Sequence, residues 1–281
     1  MLAVVVGATN GIGFYTALGL AKRKVDTLIL LGRSAEKGEV IKSACLEEHP
    51  ACKIHFVVVE LSLIANVRVA IKEVKQLAKD GIDILYNSAA LCVFEHVQTS
   101  ERIEQSLVVN YLQRYLFATE LLPLLNKIPH SRVVIVAGPK QNWDVPLDID
   151  DLSTTQSKNQ GTLVVRIATK CNDVFVSEFT KRLKKENSKT SVYLLNPGVV
   201  NTGGTRELAW YYRYMFAFFA LIIGTSIEKS GDIPVSLALD EKFKGRNVVC
   251  FQNEEVFPPE SVTNDELGVN FGLVLNLYAT K

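Results

Sequence analysis

The sequence has no excess of charge of either sign and no cluster of metal-binding residues. Its 281 residues carry a formal net charge of +1, and such a balance gives no indication of nucleic acid or of a strongly acidic partner. The five cysteines are scattered without CxxC spacing, and the four histidines are isolated. We therefore expect reduced, structural cysteines and no metal site.

The sequence also lacks an apolar run of the length that a membrane span needs. The nearest candidate, residues 208–224, is apolar and aromatic but is interrupted by Arg213. Its uninterrupted core has about ten residues, whereas a span needs about 20. We favour a helical substrate lid, within an insertion at about 203–226, over an interfacial membrane contact or a true span. No signal-peptide pattern precedes the first apolar run, so the expected location is cytoplasmic.

No internal repeat, low-complexity run or linker divides the chain, so we predict a single domain over residues 1–281. The composition, 48% hydrophobic and 22% charged, is typical of a globular protein with a large core. Strand patterns alternate with helical ones, which predicts an α/β fold: a single Rossmann-type doubly wound parallel sheet of about seven strands with helices on both faces. The predicted strands are 2–6, 27–31, 53–59, 82–86, 132–137, 191–195 and 247–251, and a long helix is predicted at about 101–125.

The first stretch of the chain is typical of a nucleotide site. Residues 2–6 form a continuous apolar run, which suits a strand buried on both faces. Gly7, Gly11 and Gly13 follow at once, and helical spacing begins after them. In a strand, glycine turn and helix, the N–H groups at the helix start hold the pyrophosphate of a nucleotide. The alternative is a purely structural turn.

Ligands of such sheets bind outside the carboxyl ends of the strands, so the residues that follow each strand are the informative ones. These residues resemble the short-chain dehydrogenase/reductase family over roughly residues 2–205. The resemblance is closest to the retinol-dehydrogenase-like branch and to the fungal branch that serves secondary metabolism. It is carried by the glycine turn at 7–13, Asn87-Ser-Ala-Ala90, Asn110, Lys170 and Pro197-Gly-Val-Val-Asn-Thr202.

The resemblance implies a dinucleotide site. The turn would hold the pyrophosphate, Glu60 would lie near the adenine, and Asn87 and Lys170 would lie along the ribose and nicotinamide. Val200 and Thr202 would contact the nicotinamide carboxamide. The resemblance also implies a small-molecule substrate and leaves a homo-oligomer through the two long helices open. The cofactor-binding residues implied within the turn are Gly7, Asn10, Gly11, Ile12 and Gly13.

Arg33 bears on the choice of dinucleotide, because it directly follows the second predicted strand. An acidic residue there would bind the ribose hydroxyl of NAD, whereas a guanidinium pairs with the 2′-phosphate of NADP. Ser34 adds a hydroxyl donor. We predict NADP(H), with a solvated surface arginine as the alternative.

The catalytic pattern of the family is incomplete here. The resemblance implies a tetrad of Asn, Ser, Tyr and Lys, of which Asn110 and Lys170 are present. Ala137-Gly138 stands where the serine is expected, and Arg166 stands four residues before Lys170 in place of the tyrosine. Arginine stays protonated near pH 7, so it cannot donate the proton, but it can stabilise negative charge on an oxygen. Weak candidates for another donor are Tyr111, Lys140, Trp143 and Asp144.

Three interpretations follow, and the first is favoured. The chain is an NADP(H)-dependent reductase of a bulky apolar carbonyl or enone compound, such as a tailoring step in secondary metabolism, with Asn110, Arg166 and Lys170 as its catalytic residues. The second interpretation is an enzyme of the same fold with non-redox chemistry, such as a cyclase or isomerase. The third is an NADP-binding protein without catalysis.

Overall fold

Six parallel strands form one sheet in the order β3-β2-β1-β4-β5-β6. A computed structural model describes residues 1–91, 95–137, 152, 160–197, 227–246, 250–252 and 255–257 of the chain. The strands are β1 (Leu2–Val6), β2 (Thr27–Gly32), β3 (Lys53–Val58), β4 (Ile84–Asn87), β5 (Arg132–Val136) and β6 (Ser191–Leu195). This strand order confirms the predicted Rossmann-type doubly wound sheet.

Helices cover both faces of the sheet. They are α1 (Gly11–Lys22), α2 (Ala35–Glu48), α3 (Ile64–Leu77), α4 (Gln105–Leu107), α5 (Gln113–Glu120), α6 (Leu122–Leu125), α7 (Gln160–Lys185) and α8 (Ile227–Leu239). Alternate strand residues point into two hydrophobic cores: α1, α2 and α8 pack into one of them, whereas α3 to α7 pack into the other. Five of the strands are therefore buried on both faces, which explains their apolar sequences, whereas the edge strand β3 exposes Lys53, His55 and Val58.

The long helix predicted at about 101–125 is shorter and is broken. Arg102 has a left-handed backbone with φ of 60°, and the Glu104 carboxylate accepts the Leu107 N–H, so that the helix begins only at Gln105. A π-helical segment, Val108–Leu112, follows and is called the π-turn below. Pro123 lies in the first turn of α6, where its missing N–H costs no hydrogen bond.

The prediction that a seventh strand joins this sheet is wrong. In the described part of the chain, β7 (Cys250–Gln252) pairs with β8 (Glu255–Phe257) in a separate antiparallel sheet. Only two residues separate these strands, and such a short connection joins antiparallel strands but not parallel ones.

The predictions for the cysteines and for a membrane span can be compared with the described residues only in part. Cys45, Cys52 and Cys171 are free and buried, as expected of structural cysteines. Among the described helices, none is long and apolar enough to cross a membrane. The lid predicted at 203–226 and the alternatives for residues 208–224 lie outside the described part of the chain.

Candidate active site

The candidate site lies where β1 and β4 end side by side at the centre of the sheet. After β1 the chain enters α1 on one face, whereas after β4 it leads to α4 on the other. Connections that leave adjacent strand ends in opposite directions open a crevice, and ligands of doubly wound sheets bind in such crevices.

The turn after β1 is tight, and glycine is required in it. Gly7 and Gly11 have φ of 86° and 60°, which disfavours any residue with a side chain. A Cβ added to Gly13 would lie 2.1 Å from the Gly7 carbonyl oxygen, and one added to Gly7 would lie 2.8 Å from the Ala89 nitrogen. The turn therefore packs on itself and on the chain that leaves β4. Side chains at Gly7 and Gly13 would therefore push these two segments apart.

The start of α1 suits a bound anion. Asn10 is the N-cap residue, and its side chain makes no capping hydrogen bond. The first N–H groups of a helix lack acceptors within the helix, so they bind an anion together with the helix dipole. Gly11, Ile12 and Gly13 provide this first turn and are buried. The five turn residues implied by the resemblance thus lie together at one helix start.

The ends of β2 and β3 bring Arg33 and Glu60 together. An Arg33 Nη1 nitrogen lies 3.9 Å from a Glu60 carboxylate oxygen, and the arginine side chain is 63% exposed. The other carboxylate oxygen of Glu60 accepts the Ser62 N–H at 3.1 Å. Ser34 caps α2, because its hydroxyl oxygen accepts the Lys37 N–H. Arg33 is therefore largely exposed beside the β2 end, and within the described part of the chain one long ion pair, with Glu60, holds it.

Asn87, at the end of β4, is engaged by another side chain. It is 2% exposed, and its amide exchanges two hydrogen bonds of 2.8 and 3.1 Å with the amide of Gln113. Its side chain is thus fixed within the protein at the edge of the crevice. Sequence reasoning placed Asn87 here but missed Gln113.

Asn110 lies in the π-turn, and its side chain holds the chain that leaves β4. Its amide accepts the Leu91 N–H at 2.8 Å and donates to the Leu91 carbonyl at 2.7 Å. The Asn110 main-chain carbonyl accepts the Asn172 side-chain amide from α7 at 2.9 Å. A π-helical turn disrupts the regular ladder of main-chain bonds, and Asn172 supplies a donor to the Asn110 carbonyl.

Helix α7 carries the other two predicted catalytic residues. Arg166 is exposed and Lys170 is partly buried, four residues apart, which places them on one helix face. Tyr111 is fully buried and packs edge-on against Phe175, with ring centroids 6.5 Å apart. Burial also raises the pKa of Tyr111 well above its usual value. It is a core residue and cannot reach a substrate.

Several predicted residues lie outside the described part of the chain. They are Val200 and Thr202 of the cofactor site, Gly138 at the serine position, and the weak proton-donor candidates Lys140, Trp143 and Asp144. Among the residues that the structure describes, no group of three His, Cys, Asp or Glu side chains is arranged to hold a metal ion.

Gln113, Arg114 and Asn172 are the site residues that sequence reasoning missed. Arg114 donates to the Ala89 carbonyl at 2.8 Å. A signal for two of them existed, because Gln113 and Arg114 stand three and four residues after Asn110 and so lie close to its helix face. Asn172 had no such signal, because its contact depends on how α7 packs against the π-turn.

Comparison with known proteins identifies the family to which the chain belongs. Residues 1–143 match the family model described as short chain dehydrogenase. The chain belongs to the short-chain dehydrogenase family, an oxidoreductase family. Both branches indicated by the sequence are represented among its relatives. Mouse retinol dehydrogenase 13 is 32% identical over 201 residues, covering 71% of this chain and 58% of the relative. The short chain dehydrogenase/reductase dpfgH of Gibberella zeae is 26% identical over 249 residues, covering 86% and 70%.

Other curated members of the short-chain dehydrogenase family are longer than this chain. Human polyprenol dehydrogenase is 26% identical over 217 residues, which cover 75% of this chain and 64% of the relative. The Drosophila melanogaster WW domain-containing oxidoreductase is matched over 61% of its length. The chain therefore spans less than two thirds of both proteins.

Solved structures support the fold. A short-chain dehydrogenase/reductase from Serratia marcescens superimposes with a TM-score of 0.67 at 16% identity, covering 89% of this chain and 94% of that one. The angucycline C-6 ketoreductase LanV, solved with bound NADP, superimposes with a TM-score of 0.64 at 17% identity, covering 89% and 92%.

Proposed function

We propose that the chain is an NADP(H)-dependent oxidoreductase that acts on a bulky apolar carbonyl or enone compound. Arg33 carries the choice of cofactor: it is an exposed guanidinium at the β2 end, next to a glycine turn without space for side chains. A 2′-phosphate pairs with such a group through charged, forked hydrogen bonds. LanV, whose structure contains NADP, is consistent with this choice.

The substrate class rests on the sequence and on the names of relatives. The apolar segment at 208–224 suits an apolar compound. Polyprenol dehydrogenase and retinol dehydrogenase 13 are named for apolar alcohols, and one LanV structure holds rabelomycin as well as NADP. LugOII is described as a ketoreductase of lugdunomycin biosynthesis. The description of LugOII supports a tailoring step in secondary metabolism.

In this proposal, Lys170 would bind the ribose of NADP(H) and the first turn of α1 would bind its diphosphate. The dinucleotide would supply or accept a hydride. Arg166 donates hydrogen bonds to the substrate oxygen and stabilises the charge that develops there. It transfers no proton, because a guanidinium stays protonated near pH 7. The proton then comes from water, so the reaction is slower than in a protein that has the usual tyrosine.

The replacement of the tyrosine also supports a second candidate, a protein that binds NADP without redox turnover, as a non-redox enzyme or a partner subunit. Arg166 stands at the position expected of the tyrosine, and Tyr111 is fully buried in the core. Neither residue is a proton donor to a substrate. The two candidates share the cofactor site and differ in whether NADPH is consumed.

The test first measures NADPH binding, which is monitored through the fluorescence of NADPH. We expect the wild type to bind, Lys170→Ala to weaken binding, and Lys181→Ala, on the same helix and paired with Glu178, to leave binding unchanged. If the wild type binds no NADPH, the cofactor assignment fails. NADPH consumption with apolar ketones and enones is then compared between the wild type and the double variant Arg166→Tyr, Gly138→Ser.

Under the favoured proposal, the wild type consumes NADPH with apolar carbonyl compounds, and the double variant does so about 100-fold faster, because general acid catalysis contributes about that much. Binding without consumption in the wild type, with activity only in the double variant, would favour the second candidate. Conversion of an apolar compound without loss of NADPH would point to a non-redox enzyme.

A further inference from the structure

Three side chains from the π-turn and the start of α5 hold alternate residues of the chain that leaves β4. Gln113 bonds the side chain of Asn87, and Arg114 bonds the Ala89 carbonyl. Asn110 bonds both main-chain groups of Leu91. This stretch is therefore positioned at every second residue from behind, on the side away from the glycine turn.

Arg114 is the charged member of this set and is almost entirely buried. It is 4% exposed. Among the residues that the structure describes, it forms one hydrogen bond, from Nη2 to the Ala89 carbonyl oxygen at 2.8 Å, and its Nε has no partner there. Within the described residues, no carboxylate forms a salt bridge with it. Burial lowers the pKa of Arg114 to about 10, an effect that Tyr86 partly opposes. The group therefore remains a cation at neutral pH.

The residue that Arg114 holds is the one against which the glycine turn packs. A Cβ added to Gly7 would lie 2.8 Å from the nitrogen and 2.9 Å from the Cα of Ala89. One residue thus separates the buried cation from the turn. Because the interior has a lower effective dielectric constant than water, the field of a buried charge is screened less than the field of an exposed one.

A buried cation with a single carbonyl acceptor costs folding free energy, since its lost hydration is not compensated by an anion. An anion bound at the glycine turn would compensate it. We propose that Arg114 is a determinant of dinucleotide affinity, which places a buried positive charge behind the glycine turn to attract the diphosphate. This inference rests on the proposed function, namely that a dinucleotide binds at the turn.

Arg132 provides a matched control. It is also buried, at 5% exposure, and it donates to the carbonyls of Leu237 and Asp240 at 2.9 and 3.0 Å. It is the first residue of β5 and so lies at the amino ends of the strands, opposite the candidate site. The two arginines have similar burial and similar acceptors and differ in their position relative to the turn.

The experiment measures the dissociation constants of NADPH and NADH for the full chain and for Arg114→Gln, Arg114→Lys and Arg132→Gln. We expect Arg114→Gln to weaken both ligands by the same factor of about tenfold, because both carry the diphosphate. Arg114→Lys is measured at about pH 6, where a buried ammonium more readily keeps its proton, and should stay within about threefold of the wild type, whereas Arg132→Gln should bind normally. Thermal unfolding of the ligand-free proteins is measured in parallel.

A merely structural role predicts a lower melting temperature for Arg114→Gln. The proposed role predicts an unchanged or higher one, because an uncompensated buried charge is removed. Wild-type affinity in Arg114→Gln, or equal losses in the Gln and Lys variants, would overturn the proposal. If Arg114→Gln does not fold, Arg114→Met replaces it as the variant without charge. A wild type that binds neither dinucleotide refutes the proposed function itself, whereas a binding wild type with an unaffected Arg114→Gln refutes only the role of Arg114.

Discussion

Among single residues, Arg33 has the most direct bearing on cofactor choice. Its guanidinium lies 3.9 Å from the Glu60 carboxylate, and both side chains are substantially exposed. An exposed pair of this kind contributes little to folding stability. We therefore expect Arg33 to affect ligand binding more than folding stability. Under the proposed function, Glu60 would compete with the 2′-phosphate of NADP for the same guanidinium.

We expect Arg33→Ala to weaken NADPH binding by about 10- to 100-fold and NADH binding by less than about threefold, because only NADPH carries the 2′-phosphate. Glu60→Gln should instead strengthen NADPH binding, since it removes the competing carboxylate. Fluorescence titration measures both effects. Arg23→Ala is the control, because Arg23 is also exposed and forms an ion pair with Asp240. Equal losses of NADPH and NADH in Arg33→Ala would contradict this prediction.

Among the elements, the short helix α4 and the π-turn after it organise the edge of the site. Glu104 begins α4 by accepting the Leu107 N–H at 2.8 Å, although its side chain is fully buried. Burial raises the pKa of Glu104 above its ordinary value of 4.5, and its hydrogen bond to Leu107 and its neighbour His96 partly oppose this. A helix cap thus carries a carboxylate that is harder to ionise in the folded protein.

This raised pKa gives stability a definite pH dependence. Above pH 4.5 the folded protein holds more protons on Glu104 than the unfolded chain does, so the free energy of unfolding falls as pH rises through the folded pKa. Glu104→Gln keeps an acceptor for the cap and removes the titration. We expect the stability of Glu104→Gln relative to the wild type to increase between about pH 4 and about pH 7. Urea unfolding at both pH values measures it, and a constant difference would contradict the assignment.

For the whole molecule, we expect dinucleotide binding to raise stability, because the glycine turn packs on the β4 exit and the β4 exit is hydrogen-bonded to the π-turn and to α5, so the proposed site exists only in the folded chain. A ligand that binds only the folded state stabilises it. NADPH at about 100 times its dissociation constant should raise the free energy of unfolding by about 2.7 kcal/mol, which corresponds to roughly 5–10 °C in melting temperature for a domain of this size.

Thermal unfolding with NADPH, with NADH and without ligand measures this coupling. At equal concentrations we expect a smaller shift with NADH than with NADPH, because Arg33 has no phosphate to pair with. Equal shifts would contradict the NADP preference. The absence of any shift with either ligand at saturating concentration would contradict dinucleotide binding.

The sequence by itself determined the six strands of the parallel sheet, the glycine turn and the family. Apolar runs mark strands buried on both faces, and glycines mark a turn that no side chain fits; both are local signals that need no knowledge of distant residues. The residues that follow the strands could be grouped because parallel strands end at one edge of a sheet. For the same reason the sequence alone predicts Arg33 at this edge of the sheet.

Only the tertiary structure decided which side chains meet. The Asn87–Gln113 amide pair joins residues 26 positions apart, and Asn172 reaches the Asn110 carbonyl across 62 positions. The burial of Arg114 and its bond to Ala89 depend on how the π-turn packs behind the glycine turn. Such contacts follow from the packing of whole elements, to which no short sequence pattern corresponds. They place a buried cation behind a turn that the sequence alone had already marked as a site for an anion.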